Sequence, residues 1–119
     1  MIVHIHTKRI APRAGKRIRI FVGEGDDWQN KPLYQAILEV ARREGVVRAT
    51  VTRGIEGFGP AHHLTTDRLP DIADDLPLQI EIVERAEHVE KLLPLLDKMV
   101  QRGMMTISPI EIIFSEEVQ

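Results

Sequence analysis

The residues with the clearest potential for binding chemistry lie in one glycine-rich segment. Glycines allow the backbone to take positive φ values and to approach a ligand closely. Successive free N–H groups in such a turn can form an anion-binding nest, and an arginine beside it supplies a fork for phosphate. The segment is not a P-loop or a dinucleotide fingerprint, because no Gly-Lys-Ser/Thr follows it and it does not enter a helix. The candidate binding residues are Arg53, Gly54, Glu56, Gly57, Phe58 and Gly59.

A turn that merely redirects the chain is the alternative interpretation of this segment. Glu56 is the natural candidate for a general acid or base, but a single loop carboxylate more often pairs with an arginine or caps backbone donors. The sequence contains no Ser-His-Asp order and no nearby carboxylate pair that would support catalysis. We therefore expect no enzymatic activity, and a small enzyme built on Glu56 and the loop histidines is kept as a competing hypothesis.

Histidines offer a second kind of site. His4 and His6 would share one face of a strand, a spacing that permits two metal ligands, although no third ligand is evident. His62 and His63 could contact a ligand only within a loop, and solvated loop histidines are the more ordinary outcome. We expect no required cofactor and no assigned metal ligand, and whether these four histidines bind metal is left open.

Composition excludes several classes of protein. The 119-residue chain has a formal charge of −2, five aromatic residues (three Phe, one Tyr, one Trp) and no cysteine. Near-neutral charge and few aromatics argue against a nucleic-acid surface. No apolar run approaches the roughly 18 residues that a membrane span needs. The N-terminus lacks the pattern of a signal peptide, and the absence of cysteine fits a reducing compartment. We expect a cytoplasmic domain without membrane insertion.

Hydrophobic periodicity predicts the elements that position these residues. Apolar residues alternate in four strand-like segments and recur at helical spacing in two others. A proline at the start and a glycine at the end bound the first helix, and Pro94 should kink the second. The predicted strands are 17–22, 47–52, 78–83 and 106–114, and the helices run from 31 to 45 and from about 89 to 103.

The order of these elements predicts an α+β fold, a ferredoxin-like βαββαβ sandwich with a four-stranded antiparallel sheet and two helices on one face. First and third strands would be neighbours, so that Arg19 and Glu81 could pair. A wet surface is the alternative to our expectation that the uncovered face is buried in a homo-oligomer. The predicted uncovered face comprises Arg17, Arg19, Phe21, Thr50, Thr52, Gln79, Glu81, Val83, Glu111 and Ile113.

Three segments carry a resemblance to a known family. GKRIRIFVGEGDDWQNKPLYQAI, RATVTRGIEGFG and DLPLQIEIVE resemble the uncharacterised PII-like proteins grouped as a domain of unknown function, relatives of PII nitrogen regulators and CutA. The resemblance implies a homotrimer with open sheet faces turned inward and an adenine nucleotide in clefts between subunits. It also implies that the 54–75 loop reports occupancy to a regulated protein partner. The domains would then be an N-terminal extension, 1–14, the PII-like domain, 15–114, and a short C-terminal tail, 115–119.

Two departures from the PII pattern bear on the ligand. The junction before the second helix, residues 83–87, is acidic and lacks the glycine-rich, basic phosphate loop of PII proteins, and no basic tail follows Phe114. Fewer cations near the phosphates favour AMP or ADP over ATP. The alternative function is a CutA-like metal-binding stress protein that uses the N-terminal or loop histidines.

Overall fold

A computed structural model describes residues 11–68 and 75–114. Two helices and four long strands follow one another in the predicted βαββαβ order, and two short two-residue ladders are added to them. The elements are β1 (Arg13–Gly23), β2 (Asp27–Trp28), β3 (Lys31–Pro32), α1 (Leu33–Arg43), β4 (Arg48–Arg53), β5 (Glu56–Gly57), β6 (Thr65–Thr66), β7 (Pro77–Arg85), α2 (Ala86–Met99) and β8 (Met104–Ile112).

The four long strands form one antiparallel sheet in the order β4-β7-β1-β8. Strand β1 is therefore central and pairs with β7 as predicted. Arg19 lies directly opposite Glu81, and its Nε donates to Glu81 Oε2 at 3.2 Å. The ferredoxin-like α+β fold and this cross-strand pair are both confirmed.

The core lies between the two helices and one face of the sheet. Alternate residues of β1 and β7 point toward the helices because side chains alternate across a strand. Ile18, Ile20, Ile80 and Ile82 are completely buried. The helices complete the core with apolar residues at helical spacing: Leu33, Ala36, Ile37 and Ala41 from α1, and Val89, Leu92, Leu96 and Met99 from α2.

The helix ends follow the predicted signals. Leu33 begins α1 immediately after Pro32, and Gly45 has a φ of +73°, the left-handed conformation that glycine adopts without steric cost. Pro94 lies inside α2, where it removes one backbone donor. Neither helix of the described chain is long and apolar enough to cross a membrane.

Two strand boundaries differ from the prediction. Strand β1 begins at Arg13 instead of Arg17, because residues 13–16 pair with the end of β8. The predicted boundary between extension and domain, after residue 14, therefore falls within a strand. Strand β8 is Met104–Ile112 instead of 106–114. Residues 1–10 and the predicted tail 115–119 lie outside the described residues.

The face assigned to β8 was wrong. Glu111 lies opposite Ala14, on the side of the sheet that the helices cover, and not beside Arg17 and Arg19. Ile113, also predicted on the uncovered face, follows the end of the strand. The open face instead receives the alternate residues Met104, Thr106, Ser108, Ile110 and Ile112.

The turn from α2 into β8 generates a stability prediction. A Cβ on Gly103 would overlap the carbonyl oxygen of Phe21 and lie 2.9 Å from Val100 Cγ1 and 3.0 Å from Val22 Cγ1. Because one of these atoms is backbone, Gly103→Ala should lower the free energy of unfolding by about 1–3 kcal/mol in urea denaturation. Gly59→Ala is the control, since no atom lies within 4 Å of its new Cβ. Equal stability of the two variants would contradict this packing.

Candidate functional site

The excursion between β4 and β7, residues 54–75, leaves and re-enters the sheet beside the turn that follows β1. Its first residue is tied to its far end, since the Gly54 N–H donates to the carbonyl oxygen of Pro77 at 2.7 Å. The turn after β1 joins the same place, since the Glu24 N–H donates to the carbonyl oxygen of Leu76 at 2.8 Å. Three separate chain segments therefore meet at the excursion base.

Arg53 enters this meeting point at the end of β4 but does not present a free guanidinium. Its Nη1 donates to Glu24 Oε2 at 3.0 Å. The Arg53 side chain is 60% exposed and that of Glu24 is 28% exposed. A second carboxylate lies nearby, because Asp75 Oδ1 accepts the Gly25 N–H at 2.9 Å. An anion that binds Arg53 must therefore compete with Glu24 in a locally acidic environment.

The glycines do not form the expected nest. Gly54, Gly57 and Gly59 all have ordinary φ values, so their backbone does not take the alternating left-handed form of an anion nest. Gly54 and Gly57 instead permit close packing on Pro77, whose Cγ would lie 2.9 Å and 3.1 Å from an added Cβ. Close backbone approach was predicted correctly, but its object is the chain itself.

Glu56 is held within a small hairpin that strands β5 and β6 form inside the excursion. Its Oε1 accepts the Thr66 hydroxyl at 3.1 Å and Arg68 Nη2 at 2.8 Å. Thr66 is 2% exposed, and its hydroxyl also accepts the Arg68 backbone N–H at 3.2 Å. The carboxylate thus closes the hairpin by pairing with an arginine, the ordinary alternative to a catalytic role.

The outer surface of the excursion is apolar. Ile55, Phe58 and Leu64 are 70%, 64% and 52% exposed. The Phe58 ring lies 5.2 Å from that of His62, whose own φ is +61°. Phe58, a predicted site residue, therefore lies away from the ion pairs at the base. Exposed apolar side chains on a projecting hairpin are typical of a contact surface.

Metal chemistry has no support in the part of the chain that the structure describes. His62 and His63 are exposed, and the described residues contain no group of three or more His, Asp or Glu side chains arranged to hold an ion. His4 and His6, the other predicted candidates, lie outside the described residues.

The junction between β7 and α2 contains a buried acid. Glu84 is 2% exposed, and its Oε1 accepts the Arg85 N–H at 2.7 Å. Its Oε2 lies 3.8 Å from His88 Nδ1, beside a cleft of about 200 Å³ that Glu44 and Lys91 also line. A carboxylate thus lies at the position where the family resemblance places phosphate contacts in PII proteins.

Sequence reasoning missed the partners of the predicted residues. Glu24, Asp75 and Thr66 determine what Arg53 and Glu56 do, yet they come from other turns of the chain. The acidic turn Gly23-Glu24-Gly25-Asp26-Asp27 was the available signal for Glu24. Only the topology of the sheet brings it to the end of β4.

Comparison with known proteins places this arrangement in a family. The family model DUF190, described as "Uncharacterized ACR", matches residues 15–112. The chain belongs to the DUF190 family. A UPF0166 protein of Aquifex aeolicus is 31% identical over 99 residues, covering 83% of this chain and 93% of the relative. A UPF0166 protein of Methanocaldococcus jannaschii is 30% identical over 92 residues, covering 77% and 84%.

Solved structures relate this DUF190 chain to PII-like proteins. A PII-like protein, CPII from Thiomonas intermedia K12, in a structure bound to ADP, AMP and bicarbonate, aligns with a TM-score of 0.61 at 18% identity, covering 88% of this chain and 93% of CPII. A PII-like signalling protein from Thermus thermophilus aligns with a TM-score of 0.63 at 15% identity, covering 87% and 94%. At these identities the likeness establishes a PII-like fold.

The hairpin network generates a prediction about local stability. Thr66→Val keeps the shape of the side chain but removes the hydroxyl that Glu56 and the Arg68 N–H use. Leaving these partners unsatisfied should cost about 1 kcal/mol or more locally. Hydrogen exchange of the Asp67 and Arg68 amides should accelerate by about fivefold or more.

Thr52→Val is the matched control, because its exposed hydroxyl donates only a 3.4 Å bond to the carbonyl oxygen of Gln79 in the sheet. It should leave exchange in the hairpin unchanged. Unaltered exchange of the Arg68 amide in Thr66→Val would show that this hydroxyl does not hold the hairpin closed.

Proposed function

We propose that the chain is a PII-like ligand-sensing protein that binds an adenine nucleotide, AMP or ADP, at the excursion base. The occupied site would alter the 54–75 excursion, and the excursion would signal to a protein partner. The observation that carries this proposal is the PII-like fold, shared with a protein whose structure was determined with ADP and AMP. The subunit clefts of a homotrimer are the proposed location.

The geometry of the excursion base supports this location. Arg53 is fixed at the end of a strand, and its guanidinium is largely exposed although paired. Its partner, Glu24, belongs to a turn that also holds the far end of the excursion through Leu76. A phosphate that displaces Glu24 from Arg53 would therefore act on both ends of the excursion. Ligand binding and excursion conformation would be coupled through one ion pair.

Local charge supports a ligand of low negative charge. Arg53 is accompanied at the base by Glu24, Asp26 and Asp75, and Asp26 Oδ2 accepts the Gly23 N–H at 3.0 Å. A triphosphate would meet these carboxylates with more charge than a single arginine can offset. AMP and ADP meet less repulsion, which supports them over ATP.

Apolar residues on the excursion support contact with a partner. Ile55, Phe58 and Leu64 are exposed on the same hairpin that Glu56 and Thr66 close. A change at the base would move these side chains as one unit, because the hairpin is joined internally. The apolar surface is therefore suited to reporting occupancy by gaining or losing a protein contact.

The open sheet face supports self-association. Phe21 and Met104 lie opposite one another on this face, and Met104 is 54% exposed. No helix of the described chain covers them. Contact between open faces of three copies would bury this apolar end of the sheet.

Isothermal titration calorimetry with AMP, ADP and ATP tests the ligand. Binding should be saturable for AMP or ADP and weaker for ATP. Arg53→Ala should weaken binding by about tenfold, the loss of a charged hydrogen bond worth about 1.5–3 kcal/mol being partly offset by exposure. Glu24→Gln should strengthen it by about two- to fivefold, because the competing carboxylate is removed.

Arg42→Ala is the matched control, since Arg42 is an exposed cation at the end of α1, away from the excursion base. Its affinity should equal that of the native chain. Absence of heat with all three nucleotides in a folded sample would contradict the nucleotide proposal. An unchanged affinity in Arg53→Ala would remove Arg53 from the site.

Light scattering coupled to gel filtration tests the assembly. A homotrimer should give 40.8 kDa, three times the 13.6 kDa of one chain. Met104→Glu places a charge on the apolar end of the open face and should shift the mass toward that of one chain. Ile55→Glu, an equally apolar position on the excursion, is the control that should keep the trimer. A native mass of 13.6 kDa would contradict the assembly.

A further inference from the structure

The open face of the sheet has an unexpected charge distribution. Registers of the four strands place arginines from three of them on this face, and Glu81 is the acidic residue among its described strand positions. Arg19 is already paired with Glu81. The remaining arginines define an arginine end of the face: Arg13, Arg17, Arg48 and Arg85.

The register brings three of these side chains around a shallow depression. Arg17 and Arg48 lie on either side of Val83, each directly opposite it on a neighbouring strand. Two strand spacings separate their Cα atoms by about 10 Å, and Val83 is much shorter than either arginine. Arg85 is two residues beyond Val83 on the same face, so its Cα is a diagonal neighbour of Arg17 at about 7–8 Å.

These arginines have no acidic partner among the residues that the structure describes. The described salt bridges include Arg19, Arg43, Arg53 and Arg68 but none of the arginine end. Charge is therefore concentrated at one end of the face, because the other end carries Phe21, Thr52, Gln79 and Met104, which are uncharged.

Arg85 supplies an independent indication of a ligand. Its Nε is buried and lacks a hydrogen-bond partner, although more than nine-tenths of buried polar groups normally have one. The guanidinium carbon lies 5.3 Å from the centroid of the Phe114 ring. Stacking on Phe114 holds the guanidinium in place without using its N–H groups. The side chain is oriented and still has donors to offer.

We propose that the arginine end of the open face binds a doubly charged tetrahedral oxyanion of the phosphate or sulfate class. Guanidinium forks match the oxygen spacing of such anions, and two or more of them provide the charge that a dianion requires. Arg17 and Arg48 flank the anion, Arg85 donates from the stacked position, and Val83 forms the floor. This site is separate from the excursion base, since Arg48 and Arg53 are at opposite ends of β4.

Calorimetric titration of the full chain with inorganic phosphate and with sulfate tests the site, at constant ionic strength maintained with chloride. Saturable binding at millimolar or lower concentration is expected for both anions. Arg17→Gln and Arg48→Gln should each weaken it by about five- to tenfold. Arg42→Gln, a neutralisation outside the face, should have no effect. All three positions are on the surface or partly exposed, and circular dichroism verifies folding of each variant.

Absence of saturable binding by either anion would overturn the proposal. Equal weakening by Arg42→Gln would also overturn it, since the anion would then respond only to net charge. Titration with AMP separates the two sites: Arg53→Ala should weaken AMP and leave inorganic phosphate unchanged, and Arg48→Gln should do the reverse. Loss of AMP binding in Arg48→Gln, without binding of inorganic phosphate, would assign the arginine end to a nucleotide phosphate and overturn a free-anion site.

Discussion

Two helices can bury only one face of a four-stranded sheet, and most features of this molecule depend on that limit. Strand β1 has completely buried Ile18 and Ile20 on one side and Arg17 and Arg19 on the other. Because β1 is paired on both edges, its alternation sets the register of β7 and β8. The core is therefore made on one side, and every side chain of the other face must find solvent, an ion or another protein.

The same alternation explains which parts of the fold could be predicted. In β1 and β7 the buried and open faces differ sharply in polarity, so the sequence defined both the strands and the pairing of Arg19 with Glu81. Strand β8 lacks this contrast. Its apolar residues fall on both faces, Met105 and Ile107 on one and Ile110 and Ile112 on the other. An edge strand that is partly exposed on both sides does not need a strict alternation, and this is why Glu111 was assigned to the wrong face.

The candidate site was predictable in residue type but not in pairing. Arg53 and Glu56 stand in a distinctive segment, and a cation and an acid at the start of a long excursion were correctly recognised as notable. Their partners, Glu24 and Arg68, lie in turns whose positions depend on the sheet topology and on the β5-β6 hairpin. Periodicity carries no information about such contacts, because it describes a single element and not the meeting of three.

A net charge of −2 conceals a separation of charge between two ends of the same sheet. At the excursion base, Glu24 neutralises Arg53 and further carboxylates lie close by, so an anion can bind there only by displacing an internal competitor. At the arginine end of the open face, cations lie together without that competition. The first arrangement favours a ligand that contributes recognition beyond its charge, as a nucleoside does. The second needs only charge and tetrahedral geometry, which a small oxyanion supplies. Total composition could not distinguish these environments, because their charges cancel in the sum and differ only in where the strands place them.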